Sequence, residues 1–575
     1  MFSDRENIDF SPDVAPLRRT SWLICGTALT ALLVLLGRNA LVSTEGEFAE
    51  SIRSFAAGRN LFAGGSFWYP DSGSSYFFGR LGGWLTHLTG NNEWTVRIFA
   101  VAAALLLLAG TVRLAEMCFS NRQVQVVSGW MLIGSYGFLY WGRHGSCFML
   151  LAAVLLWWAI LLMTPERGSG HIFALTALAC GGAAVFGCCF LLPAAALTIL
   201  FCRNSAPLST RNRWIAVVIA LLFTVTVLVL LGYVPGVPFA DNLRQIGMVL
   251  WKNMVNSWRT MVYPGTGSTD WYRTPENLPR LLIPWLPVTV TVIAGMGSCW
   301  KEVPEKVRKL LFAVAAMFLL TCVFPGKRWQ YALPLLPFLV VLTAGGLADE
   351  CGNKNWNRIA TLVMTWGCTL IAAVAVAVAV TYPLWNLLLK VTPPAELIVG
   401  LPLLGLLAIG VLVFDTGPTS AVARLSGMRG AWSGFILAAV ILQIALWSVA
   451  VPSLTKFRPA RPFWRKCHVE LERFPRTAVL FFGDVPADSE LYYLNCNEPV
   501  NVVLAPAELP RMLRETDNNM VAVIVRQHRS RELLQEMDKN GWKFAREVRE
   551  SEPLRLLSSH STGQKHYVMC EFVKK

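Results

Sequence analysis

From Ser21 to Val451 the chain is a succession of apolar segments, each about as long as a bilayer requires. Few folds tolerate that pattern. A hydrocarbon core takes about 20 apolar residues per helix. By that measure spans fall near 21–37, 94–115, 124–141, 146–163, 171–186, 188–202, 214–234, 280–299, 308–325, 331–348, 359–381, 397–414 and 431–451, about 13 in all. The stretch 171–202 barely holds its two. Hydrocarbon offers no partner to a backbone N–H or C=O, so each span must be a helix. Only 15% of the 575 residues are charged, against roughly 25% in a soluble chain.

Charge sets the orientation. Arg18-Arg19, Arg122, Arg167, Arg203/Arg211/Arg213, Lys301/Lys306/Arg308/Lys309, Lys354/Arg358 and Arg424/Arg429 fall on one side of the proposed spans, which the positive-inside bias makes cytoplasmic. That bias also accounts for the net charge of +15 without a nucleic-acid partner. Residues 1–20 are then a cytoplasmic segment. The apolar run after them lacks a small-residue cleavage site and reads as a retained first helix. The 14 cysteines form no CxxC pair, and those in apolar runs act as small hydrophobes.

Two outer-side segments are too long to be mere connections, about 38–93 and 235–279. The first opens on LVSTEGEFAESIRSFAAGR, Leu41 to Arg59, where Glu45, Glu47, Glu50, Arg53 and Arg59 interrupt the apolar surroundings. Helical spacing puts Glu47, Glu50 and Arg53 along one side and Phe48, Ile52 and Phe55 along another. Such a segment is expected to lie on the membrane surface. It also reads as a plain helix start, with Ser43 or Thr44 as N-cap and Glu47 in a capping box. The second segment interleaves Arg244, Lys252, Arg259 and Arg273 with Trp251, Trp258, Trp271 and Tyr272. Singly these are interfacial anchors. Together they suit an anionic headgroup and a sugar.

Residues 453–575 differ in kind, holding 20 Lys/Arg and 16 Asp/Glu. Strand-like runs at 478–482, 500–504, 520–525 and 567–572 alternate with helical ones at 490–494, 507–515 and 531–539. The expectation is a soluble α/β domain, with no phosphate-binding glycine loop and no triad spacing. The odd span count puts it on the outer side with the acidic stretch.

Two stretches carry a resemblance. TEGEFAESIRSF is similar to the first-loop segment of GT-C glycosyltransferases of the aminoarabinose-transferase and protein O-mannosyltransferase type. GKRWQYALPLLPFLVVLTAGGL, from Gly326, resembles the segment that opens a late helix there, and GNNEWTVRIF resembles the turn and arginine that begin the second helix. The resemblance implies a GT-C-like α-helical polytopic domain over 21–452 in a bacterial inner membrane, with residues 453–575 a periplasmic α/β domain. It implies transfer of a sugar from a polyprenyl-phosphate donor to a lipid, glycan or protein acceptor. A carboxylate would activate the acceptor hydroxyl, implicating Glu45 and Glu47 as catalytic residues. These could also hold a divalent cation, Mg or Mn, the one cofactor implied. Cations would stabilise the departing phosphate, implicating Lys327, Arg328 and Tyr331, with Arg80, Arg143 or Arg259.

The chain departs from that pattern where chemistry is expected. Thr44 stands at the place of the first family acid, and GRHGSCFML from Gly142 has no carboxylate at the place of the second. Gly73-Ser74-Ser75 replaces a Lys-Pro-Pro turn and Phe186-Gly187-Cys188 a Lys-Gly. A transporter or flippase, or a non-catalytic binder of lipid-linked sugars, is the alternative. Few ionisable residues fall at mid-membrane depth and no internal repeat is seen, which disfavours transport. His144 reads as structural.

Overall fold

A computed structural model describes residues 14–36, 43–56, 73–90, 92–164, 169–201, 210–232, 238–262, 273–323, 329–348, 433–451 and 460–473. It also describes most of 477–549, all of 567–575 and scattered positions from 356 to 428. In chain order the helices are α1 (Val14–Leu33), α2 (Ser43–Ala56), α3 (Gly73–Thr89), α4 (Glu93–Cys118), α5 (Arg122–Ile133), α6 (Tyr136–Gly142), α7 (Phe148–Met163), α8 (Ser169–Phe186), α9 (Cys188–Phe201) and α10 (Thr210–Gly232). They continue with α11 (Phe239–Val262), α12 (Arg273–Leu282), α13 (Leu286–Ser298), α14 (Glu305–Val323), α15 (Leu335–Leu347), α16 (Ser433–Ile444) and α17 (Ala460–Arg473).

Among the described residues α4 and α8 are long and apolar enough to cross a membrane alone, and seven shorter apolar helices accompany them. Three expected spans are broken in ways the residues explain. Gly134 and Ser135 separate α5 from α6, and Pro284 lies between α12 and α13, where it can donate no helical hydrogen bond. Tyr331 belongs to a short 3-10 turn ahead of α15, not to the helix itself. The doubtful pair at 171–202 is two helices, parted at Gly187, whose φ of 56° is a left-handed helix stop. The spans expected at 359–381 and 397–414 lie almost wholly outside the described residues. One contiguous apolar core joins α1, α4, α5, α7, α13 and α15.

Residues 478–574 contribute a five-stranded sheet: β1 (Ala478–Phe482), β2 (Asn501–Val503), β3 (Met520–Arg526), β4 (Trp542–Arg549) and β5 (Tyr567–Lys574), in the order β2-β1-β3-β5-β4. β1 pairs in parallel with β2 and β3, and the two remaining ladders are antiparallel. β1 is buried at every position, as a central parallel strand covered on both faces must be. Ala478, Leu480 and Phe482 enter one core with Leu509, Leu533 and Met537. Val479 and Phe481 face the other way, into a cluster with Phe463, Trp464 and Cys467 of α17.

That second cluster does not stop at the sheet. Phe48, Ala49 and Ile52 of α2 and Val96 of α4 belong to it, so one continuous core joins the sheet to α2 and to the start of α4. This corrects the expectation of a surface-lying α2. Its apolar side is buried as the spacing required, but Glu50 and Arg53 on its polar side are buried too, and so is Glu45. α3 crosses α2 closely through glycines. A Cβ at Gly82 would stand 2.5 Å from Ile52 Cγ1, and one at Gly83 2.9 Å from Phe55 Cβ.

Candidate functional site

The site grows from the start of α4. Gly90, at φ 77°, turns the chain, and the Asn92 side chain accepts the Thr95 N–H at 3.0 Å as an N-cap. Helix geometry then puts Arg97 one turn inside. A guanidinium at the mouth of an apolar helix needs a counter-charge, and Glu45 supplies it. Arg97 Nε donates to Glu45 Oε1 at 2.8 Å and Nη2 to Oε2 at 2.9 Å, while Nη1 reaches the Leu36 carbonyl at 2.7 Å. Both side chains are 1–2% exposed. The planar fork meets the carboxylate edge to edge, a geometry lysine could not reproduce.

A third element closes the group. The turn between α6 and α7, Arg143-His144-Gly145, presents the Gly145 N–H to Glu45 Oε1 at 2.6 Å and His144 Nδ1 to the same oxygen at 3.5 Å. Only glycine fits at 145, since a Cβ would lie 2.5 Å from Val96 Cγ1. Arg143 points elsewhere, at the end of α1. It donates to the carbonyls of Ala31 at 2.5 Å, Leu32 at 3.1 Å and Val34 at 2.7 Å, and Ser448 Oγ also reaches Ala31 O at 2.6 Å. These are carbonyls left over at a helix C-terminus. One turn thus fixes the end of α1 and the acid that opens α2.

Burial pushes the Glu45 carboxyl up, but Arg97, His144 and the Gly145 amide outweigh it and hold the group down at about 2. Burial also lowers the His144 imidazole; Arg97 adds to that and Glu45 opposes it, and the net direction is down. At neutral pH the pair is a carboxylate beside a neutral imidazole. Glu45 is therefore a weak base, and His144 beside it is an uncharged imidazole.

Aromatic rings continue from His144. Tyr136, Tyr140 and His144 stack along one side of α6, at centroid distances of 5.5 and 5.4 Å. Trp141 meets His144 at 4.9 Å and Phe148 at 5.7 Å, and Phe148 meets Tyr331 at 5.8 Å. Tyr331 is thereby tied to the Glu45 group through three rings.

An apolar cavity of about 220 Å³ lies between α7, α8 and α10, lined by Leu150, Val154, Ala177, Gly181, Phe223 and Val227 among others. One end is formed by Val185 and Leu228, which pack with Phe77 and Phe55. Over the Phe55 ring sits the buried Arg80 guanidinium, 5.3 Å from the centroid. Arg80 thus lies toward the far end of α2 from Glu45. Ten residues of helix between Phe55 and Glu45 make that about 15 Å.

The other implicated residues are placed as follows. Lys327 and Arg328 lie outside the described residues, and the side chains of Glu47 and Arg259 do also, though their backbones belong to α2 and α11. Among the described residues no three His, Cys, Asp or Glu side chains gather as metal ligands. Glu45 does not suit a divalent cation, since both its oxygens accept hydrogen bonds and Arg97 already holds positive charge against it. Sequence reasoning passed over Arg97 and His144 as functional residues. The signal for Arg97 was present, a lone arginine near the start of a long apolar helix. No local signal marks His144, because its partner lies 99 residues away in the chain.

No protein-family model and no curated protein matches the chain. Two crystal structures of ArnT from Cupriavidus metallidurans do. The form bound to undecaprenyl phosphate aligns with a TM-score of 0.62 and the apo form with 0.64. Each is 15% identical, and each alignment covers 96% of this chain and 98% of ArnT. From α2 to the trailing sheet, this chain has the fold of ArnT, a polytopic GT-C aminoarabinose transferase.

Proposed function

We propose that the chain transfers a sugar from a polyprenyl-phosphate donor to a hydroxyl acceptor at the outer face of a bacterial inner membrane. One observation carries the proposal: an apolar cavity between α7, α8 and α10 ends toward the buried Arg80 guanidinium, and α2 carries both Phe55 at that end and, about 15 Å along it, the buried Glu45–Arg97–His144 group. A prenyl chain needs such a cavity, and a phosphosugar at its end needs charge held ready where the chain emerges. The ArnT crystal form that holds undecaprenyl phosphate shares this fold.

In the proposed reaction the acceptor oxygen attacks the anomeric carbon, the bond from that carbon to the phosphate oxygen breaks, and polyprenyl phosphate departs. The hydroxyl proton passes to His144. Glu45, kept ionised by Arg97, orients the imidazole and stabilises it once charged, as a carboxylate does for a histidine base. Glu47 is a second acid within one turn of Glu45. Lys327 and Arg328, adjoining Tyr331, and Arg80 at the cavity's end are the proposed cations for the leaving phosphate. Arg143, whose donors hold α1, acts by positioning.

A general base contributes about 10²–10⁴-fold. Transfer of radiolabelled sugar from polyprenyl-phosphate donors to a membrane acceptor fraction should fall by that factor in His144→Gln, with unchanged thermal stability. Full activity in that variant would remove His144 from the reaction.

A further inference from the structure

A second charged feature lies outside this site, in a groove of about 440 Å³ between α17 and the edge strand β4. Arg465 and Lys466 form its α17 wall and Arg546 and Arg549 its β4 wall, with Val469 between them. The two carboxylates present are already engaged. Glu470 accepts from Arg546 at 2.7 Å and from Arg473 at 3.0 Å, and Glu547 accepts from Arg549 at 2.7 Å. Charged side chains guard edge strands generally. That role does not call for a surplus of one sign, here four cations against two carboxylates.

The groove has a definite level. Arg465 Nη2 lies 3.5 Å from the carboxylate of Glu93, the first residue of the membrane helix α4. The next residue, Trp94, is 41% exposed, and Trp84 and Leu88 at the end of α3 are exposed as well. Outward-facing tryptophans at a helix mouth mark the headgroup layer, so the cations stand at the depth of lipid phosphates.

We infer that this groove binds the phosphate of an anionic phospholipid headgroup and so seats the sheet on the bilayer. The arginines of these pairs are half exposed or more, so a lipid phosphate can reach them with the pairs still in place.

The test uses the full-length chain in detergent, with native mass spectrometry comparing retention of phosphatidylglycerol and phosphatidylcholine at equal concentration. The wild type should prefer phosphatidylglycerol. Each neutralised cation should cost about fivefold in that preference. Lys466→Gln, which leaves the Arg465–Glu93 and Arg546–Glu470 pairs in place, should show one such step and Arg465→Gln/Lys466→Gln two. Arg514→Gln, in the helix Leu509–Arg514 away from the groove, should show none. Equal retention of the two lipids by the wild type, an unchanged preference in Lys466→Gln, or an equal loss in Arg514→Gln would each overturn the inference.

Discussion

Replacing Glu45 with Gln should destabilise the fold before it does anything to chemistry. The change removes the only carboxylate bonded to Arg97 among the described residues and leaves a guanidinium that is almost wholly buried. Breaking a buried pair in this way costs about 3–5 kcal/mol. The carboxyl's displacement from 4.5 to about 2 gives a similar figure by linkage, about 3 kcal/mol. The sign follows from the direction of that shift. A depressed carboxyl stabilises the fold fully above its unfolded value, and the contribution fades as pH falls through the folded value. Melting temperatures of wild type and Glu45→Gln in detergent should therefore differ clearly at pH 7 and converge as pH drops from 4.5 toward 2. Arg97→Gln alone should be about as damaging, and the double variant less damaging than the sum, since the two residues are coupled. A Glu45→Gln protein that melts with the wild type at pH 7, or a gap that stays constant in acid, would refute the reasoning.

Other perturbations separate positioning from binding. Gly82→Leu should part α2 from α3, because even a Cβ there meets Ile52; the loss should exceed 1–3 kcal/mol, the usual cost of overpacking, and appear in thermal melts. Arg143→Met should lower stability by about 1–3 kcal/mol as the α1 carbonyls lose their donors, whereas a pure phosphate ligand would leave the melt unchanged and weaken lipid binding. Ala177→Phe should fill the apolar cavity and weaken retention of undecaprenyl phosphate in native mass spectra; retention at the wild-type level would place the prenyl chain elsewhere. Because burial and Arg97 hold the His144 imidazole below its ordinary value, the acid limb of transfer activity should fall below pH 6.5 and vanish in His144→Gln.

The fold was legible because membrane helices and buried strands are written in local hydropathy. The strand expected at 478–482 is β1, and the helix expected from Thr44 onward is α2. β4 was missed because an edge strand carrying Lys543, Arg546, Glu547 and Arg549 shows no apolar alternation. The site was legible only in part. Glu45 could be singled out as an acid next to an apolar span, but its exposure was misjudged. Burial of α2 depends on α3, on α17 and on the sheet, whose residues lie up to about 500 positions away. The pairing of Glu45 with Arg97 and His144 is likewise long-range, and spacing along one segment cannot encode it.

Sugar transfer itself is the most direct measurement. Full-length protein in nanodiscs would be given polyprenyl-phosphate donors carrying a radiolabelled sugar, together with an outer-membrane lipid, glycan and protein acceptor fraction. The expected result is label in the acceptor matched one for one by free polyprenyl phosphate, abolished in Glu45→Gln and reduced at least a hundredfold in His144→Gln. Absence of transfer from every donor, with undecaprenyl phosphate nonetheless retained by the protein, would contradict the account and leave a binder of lipid-linked sugars.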